Sequence, residues 1–314
     1  MEMSLVVKSN ELIQASYTLT LVEQRMILLA IVEARETGDG IDANTHLTVS
    51  AGSYANQFNV TLDAAYLALE GAVKTLFERQ VTINDIEPVS GKPRKRVTRW
   101  VSEIAYVPDN GKIQLIFSPA IVPEITRLEA NFTSYDLEQV SGLQSAYAVR
   151  LYELLIKWRS VGRTPAIGLD EFRGQLGIGS GEYQRMEVFK RRVLNLALDQ
   201  INQHTDIIAS YEQHKTGRNI TGFSFKFKQK SGRKLPPKYA QQATQRDANT
   251  PDFFTKLTDK QIDLLIRSDL FLADFHQLYG ASDDYATARV KLRKKLIEAP
   301  EQFGKIDFER YKAL

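Results

Sequence analysis

Five side chains between Gln184 and Asn195 stand out for the chemistry they could do: Gln184, Arg185, Arg191, Arg192 and Asn195. In the DNA major groove, guanidinium groups make paired hydrogen bonds to guanine edges, and Gln or Asn amides do the same to adenine. All five fall in the run Glu182 to Asn202, EYQRMEVFKRRVLNLALDQIN, which reads as one long amphipathic helix. At about 100° per residue, Met186, Phe189, Val193, Leu196, Ala197 and Ile201 share one side. Gln184, Glu187, Arg191 and Asn195 project from the other, and Arg185 and Arg192 lie along a border. On helix pattern alone, an ordinary solvated face competes with this reading.

The segment after the helix favours nucleic acid. Ile207 to Tyr211 alternates, HKTGRN makes a turn at Gly217, and Ile220 to Lys230 (ITGFSFKFKQK) alternates again. This is a half-buried hairpin with Lys215 and Arg218 at its tip. From Arg185 to Lys234 eleven residues are Lys or Arg and four are Asp or Glu. Such clustering is the electrostatic footprint of phosphate binding. A second basic connection, PVSGKPRKR, together with the start of the next strand supplies Lys92, Arg94, Lys95, Arg96 and Arg99, with no acid between Lys92 and Trp100. It reads as another basic wing.

Other chemistries find no support. His46, His204, His214 and His276 are scattered, without the paired spacing of a metal-dependent nicking enzyme. There is no Gly-x-x-x-x-Gly-Lys-Ser/Thr phosphate loop. GIGSG at Gly177 to Gly181 departs from a dinucleotide fingerprint and reads as the turn of a helix-turn-helix. The acid pair Asp170-Glu171 sits at a helix start, where carboxylates favour the helix dipole. The reading is therefore of a non-enzyme without metal or cofactor. The absence of cysteine fits a reducing cytoplasm, and the longest apolar run, Met26 to Val32, is too short to span a bilayer. A net charge of +3 says little, since residues 1–230 hold 26 basic and 26 acidic side chains. Any affinity for DNA must come from clustering.

The elements that position these residues recur. Leu21 to Arg35 is a helix with a Thr20–Glu23 capping box, apolar nearly all round from Met26 to Val32. Either its own domain or a second subunit must cover it. A strand at Leu47 to Val49, a helix capped by Ser50, a turn at Asn59-Val60 and a helix from Thr61 to Arg79 come next. Strands are expected at Val81 to Ile86, Val97 to Val107 and Ile113 to Phe117, then a helix from Ser118 to Leu128. Val49, Ala51, Tyr54, Gln57, Phe58 and Val60 match Ile167, Leu169, Phe172, Gln175, Leu176 and Ile178 at an offset of 118. Leu69, Val73 and Leu76 match Phe189, Val193 and Leu196 at an offset of 120. The long helix before the second set runs from Ser145 to Ser160. The shared order of helix, strand, helix, helix and basic hairpin indicates an internal repeat. The fold expected is α+β, mainly helical: two tandem winged-helix domains with β-hairpin wings, residues 1–132 and 133–230. Beyond them lie a polar, proline-bearing linker over 231–257 and a helical extension over 258–314.

Three stretches, SYTLTLVEQRMILLAI, SAYAVRLYELLIKWR and FKRRVLNLALDQIN, with the wing GRNITGFSFKFK, resemble the iteron-binding plasmid replication initiator (Rep) family. The likeness spans roughly residues 5 to 230 and is nearest to small-plasmid initiators of Acinetobacter-like bacteria. It implies binding of tandem repeats in double-stranded plasmid origin DNA, melting of adjacent AT-rich DNA, and recruitment of the host initiator and replicative helicase. It also implies a homodimer, joined through the first domain, that represses the protein's own gene. Base contacts map by this resemblance onto Arg185, Lys190, Arg191 and Arg192. Lys190, nearer the apolar border, suits a phosphate reached by snorkelling. A winged-helix transcription regulator without a replication role is the alternative, and a DNA-architectural protein a more distant one.

Overall fold

The computed structural model describes residues 4–37, 41–86, 91–107, 111–126 and 132–230, and beyond them residues 262, 265, 266, 271, 274, 275, 278 and 291–296. Two compact units result, Met1–Arg233 and Lys234–Leu314. Among the described residues no helix is long and apolar enough to cross a membrane.

The first unit begins with elements too short to show a period: β1 (Leu5–Ser9), α1 (Asn10–Gln14) and β2 (Ser16–Tyr17). Then comes α2 (Leu21–Thr37), closed at its start by the expected capping box. The Thr20 N–H donates to Glu23 Oε2 at 2.6 Å and the Glu23 N–H to Thr20 Oγ1 at 3.2 Å. Next stand β3 (Leu47–Ser50), α3 (Ala51–Phe58) and α4 (Leu62–Leu76). Ser50 and Thr61 cap the two helices, and Asn59 makes the turn between them at φ 49°. After these come β4 (Gln80–Ile86), β5 (Pro93–Arg99), β6 (Val101–Val107) and β7 (Lys112–Phe117). The strand expected from Val97 to Val107 is two strands, broken at the fully buried Trp100. β5 pairs with β4, while β6 pairs with β7. A short α5 (Val122–Thr126), β8 (Phe132–Asp136) and α6 (Glu138–Ser141) lead to α7 (Ala146–Ile156). β8 closes on β1 at the start of the chain.

The repeat is visible in the sheets. β3 pairs with β7 as β9 (Ile167–Gly168) pairs with the last strand, β11 (Asn219–Gln229). β11 pairs along its length with β10 (Ile207–Thr216), which comes after α8 (Leu169–Gln175) and a long helix from Met186 to His204. The matched aromatics Tyr54 and Phe172 are both buried, as are Phe58 and Leu176. This topology corrects one expectation. The hairpin equivalent to the second domain's wing is β6–β7, not the basic β4–β5, which is an extra hairpin paired with β2.

A second correction concerns α2. Every residue from Met26 to Val32 is at most 4% exposed. The chain's own elements enclose the whole circumference, so this helix offers no apolar face to a second subunit.

One buried polar network joins the elements around α7. Arg150 donates to the carbonyls of Ile13 (2.8 Å), Ala15 (3.0 Å) and Gln175 (3.0 Å), to the Tyr17 hydroxyl, and to Glu153 at 2.9 Å. Glu153 also accepts from Lys8 at 2.7 Å and from the Tyr135 hydroxyl at 2.6 Å. Burial pushes the Glu153 carboxyl up, but Lys8 and Arg150 outweigh it and the net direction is down. Nearby, Gly177 sits at φ 76°, where a Cβ would lie 2.3 Å from the Tyr17 carbonyl. Only glycine allows that approach.

In the second unit, Ile262, Leu265, Phe271, Leu292 and Leu296 are buried, and all five are helical. They fall within the two helices expected there. The linker expected over 231–257 lies outside the described residues.

Candidate nucleic-acid interface

The helix carrying the candidate readers is wound in three parts: α9 (Met186–Phe189), a π-helical segment (Lys190–Asn195) and α10 (Leu196–His204). It starts four residues later than its period suggested. Tyr183 takes a left-handed φ of 46°, which no helix interior accepts. Arg173 holds the carbonyls of Glu182 and Tyr183, and the Glu182 carboxylate accepts from the Gly179 N–H at 2.8 Å. Gln184 and Arg185 therefore stand on the turn before the helix, with Arg185 as its N-cap. The GIGSG stretch is the turn between α8 and this helix, as its composition indicated.

The π-helical segment changes which residues face the core. The buried set is Phe189, Val193, Leu194, Ala197, Leu198 and Ile201, whereas Leu196 is 44% exposed. The apolar side expected from an unbroken α-period includes the exposed Leu196 and leaves out the buried Leu194 and Leu198. An i→i+5 turn adds one residue relative to α-winding and rotates everything after it. The offset to α4 shows this directly. Leu69 matches Phe189 at 120, but the buried Ala72 and Leu76 match Val193 and Ala197 at 121.

On the outer side, Gln184, Arg185, Arg191, Arg192 and Asn195 are all exposed, and Lys190 is half-buried. Glu187 lies between two of the arginines, 3.5 Å from Arg185 and 3.9 Å from Arg191. These are exposed, loose pairs that hold neither guanidinium tightly. Lys190 Nζ donates to Gln213 Oε1 at 3.2 Å, and the Tyr211 hydroxyl donates to Asn195 Oδ1 at 3.2 Å. Neither Tyr211 nor Gln213 was singled out from the sequence. Only the helix's winding and the strand's placement bring them together.

The wing β10–β11 turns between Thr216 and Asn219, with Gly217 at φ 61°. Such a positive φ is what tight hairpin turns ask of their first central residue. Lys215 and Arg218 are exposed at this tip, and Lys228 is exposed on β11. Phe223, Phe225 and Phe227 are buried; Phe223 and Phe225 pack on Phe172, and Phe223 also on Phe189, which fixes the wing to the helix.

The basic hairpin of the first domain is arranged differently. Arg94 grips Asp85 with two hydrogen bonds of 2.9 Å, and Arg96 reaches Asp85 at 2.6 Å and Glu124 at 3.0 Å. The Arg94 hydrogen bond, countered in part by burial, leads the effects that hold the Asp85 carboxyl below its ordinary range. Arg99 donates to the Phe77 carbonyl at 2.6 Å and to Glu78 at 2.9 Å, at the end of α4. Lys92 and Lys95 are exposed. The acids that engage this hairpin lie outside the basic run, on the facing strand, at the end of α4 and on α5.

Comparison with known proteins places both halves. The family model described as Initiator Replication protein, WH1, matches residues 5–156, and that described as Initiator Rep protein, WH2, matches residues 168–227. A replication initiation protein of Escherichia coli is 25% identical over 320 residues, covering 96% of this chain and 98% of its own length. A WH1 domain of a replication protein isolated from a multiple sclerosis patient is 53% identical, covering 33% of this chain and 79% of that one, with a TM-score of 0.31. The crystal structure of the Pi initiator protein in complex with iteron DNA is 22% identical, covering 74% of this chain and 99% of that one, with a TM-score of 0.55.

Proposed function

This chain belongs to the family of initiator replication proteins with WH1 and WH2 domains, and on that premise we propose that it initiates plasmid replication by binding iterons in double-stranded origin DNA. The observation that carries the reading is the outer surface of the second domain. Gln184, Arg185, Arg191, Arg192 and Asn195 are exposed on and before a helix whose other side is buried, beside a wing tip bearing Lys215 and Arg218. In this reading the helix enters the major groove, the arginines and amides meet base edges, and the wing lies on phosphates. Lys190, Lys92 and Lys95 add phosphate contacts, and Arg94, Arg96 and Arg99 do so to the extent that their acids release them.

The role is non-catalytic and cytoplasmic. Binding energy spent on the iterons opens the adjacent AT-rich DNA and gathers the host initiator and helicase, while a homodimer joined through the first domain represses the gene. The supports here are the family and the sequence likeness. With α2 enclosed, any such dimer must use another surface of that domain.

The test is replication itself. A plasmid carrying the DNA that flanks the gene, but not the gene, should establish itself in a host that supplies the protein in trans. It should fail when Arg191→Ala is supplied at equal abundance. Establishment without the protein would refute the initiator role. Gene repression without plasmid establishment would favour the transcription regulator.

A further inference from the structure

The π-helical segment and strand β10 are tied at two points. Lys190 opens the segment and Asn195 closes it, five residues apart. In an α-helix, at 3.6 residues per turn, side chains five apart point about 140° away from each other. An i→i+5 turn winds fewer degrees per residue and brings them nearer to one line. Here that line faces β10, where Tyr211 and Gln213 are two residues apart and so share a face of the strand. Tyr211 reaches Asn195 and Gln213 reaches Lys190, each at 3.2 Å. Arg191 and Arg192, between the two tied residues, are left exposed.

We propose that Tyr211 and Gln213 are positioning residues for base readout: strand β10 braces the π-helical turn, so that Asn195 is held at one place over the groove and Arg191 and Arg192 are presented with it. This rests on the reading of the helix as the DNA-recognition element. An unbraced Asn on an exposed helix samples several rotamers, and ordering it at the DNA costs affinity. A brace made before binding removes that cost only where Asn195 meets its base pair. The brace is therefore a specificity device and not a source of general affinity. Tyr211 suits the role because its ring is already fixed, 5.6 Å from the Phe223 ring and 6.4 Å from that of Phe225.

Tyr211→Phe removes the hydroxyl and keeps those ring contacts, so the full chain should fold and melt as before. The experiment measures binding to the cognate origin duplex, to a set with each base pair changed in turn, and to scrambled DNA. The proteins are wild type, Tyr211→Phe, Asn195→Ala, the double variant and Arg191→Ala. Tyr211→Phe should weaken cognate binding by about threefold to tenfold, the worth of one hydrogen bond. It should lose discrimination at the same base pair as Asn195→Ala, and the two changes should not add. Additive effects, an equal loss on scrambled DNA, or wild-type discrimination by Tyr211→Phe would overturn the brace. If Arg191→Ala loses discrimination while Tyr211→Phe does not, the brace alone is wrong. If neither does, the recognition reading beneath it is wrong and the brace falls with it.

Discussion

The last helix before the hairpin strands of each winged-helix domain occupies the same place in the topology, yet the two present different surfaces. α4 buries Ala65, Leu69, Ala72 and Leu76 at ordinary α-spacing and exposes Leu62, Asp63, Leu67 and Lys74. Its counterpart has gained one residue through a π-turn and exposes Arg191, Arg192 and Asn195. At an offset of 120, Lys190 and Arg191 stand where α4 has Glu70 and Gly71. The hairpins differ in the same sense. Arg94 and Arg96 in the first domain are spent on Asp85 and Glu124, whereas Lys215 and Arg218 stand exposed at a wing tip. A shared fold thus supplies two scaffolds, and in the proposed function the arginine-bearing one reads bases.

The largest effect that could break this comparison concerns what keeps both helices on one body. Arg150 is 1% exposed and holds carbonyls from the N-terminal segment and from α8. Arg150→Met should cost about 3–5 kcal/mol in chemical denaturation, because it strands buried acceptors and strips Glu153 of one partner. A cost under about 1 kcal/mol, within the range of ordinary surface changes, would show that this network does not hold the two domains together.

Acid sharpens the same point. The folded Glu153 carboxyl lies below its ordinary value of 4.5, so its stabilisation is fully present above that value and is lost as pH falls through the lower folded one. Urea midpoints should drop in that window for the wild type and much less for Glu153→Gln. Parallel acid limbs would show that Glu153 does not drive the loss.

A smaller effect separates the two hairpins. Alanine at Lys215 or Arg218 should flatten the slope of log affinity against log salt by roughly 0.9 for each true phosphate contact. Alanine at Arg94 or Arg96 should flatten it less, since each is already engaged by an acid. Equal changes would show that the first hairpin releases its arginines on DNA.

Much of this was legible in residue types. The repeat, the Thr20–Glu23 box, the Ser50 cap and the alternating wing phenylalanines each announce themselves through local spacing. Two kinds of feature did not. β1, α1 and β2 are too short to show a period, and they gain their place only by pairing with β8 and β4, far away in the chain. The π-turn violates the very period used to find the helix, so that period puts Leu196 on the buried side and leaves out Leu194 and Leu198. The partners of Arg94 and Arg96 lie across the hairpin on β4 and on α5, where sequence proximity gives no hint of them. At the candidate interface the exposed Arg, Gln and Asn side chains are therefore legible in the sequence, but the hydrogen bonds of Asn195 to Tyr211 and of Lys190 to Gln213 are not.

The central claim is that the second domain's helix reads base sequence. Its most direct test compares wild type with Arg191→Ala on the cognate origin duplex and on scrambled DNA at one fixed salt concentration. The expected result is a loss of about 1–3 kcal/mol on the cognate duplex, relaxed preference at one base pair, and unchanged binding to scrambled DNA. An equal loss on both duplexes would make Arg191 a phosphate contact and contradict the claim.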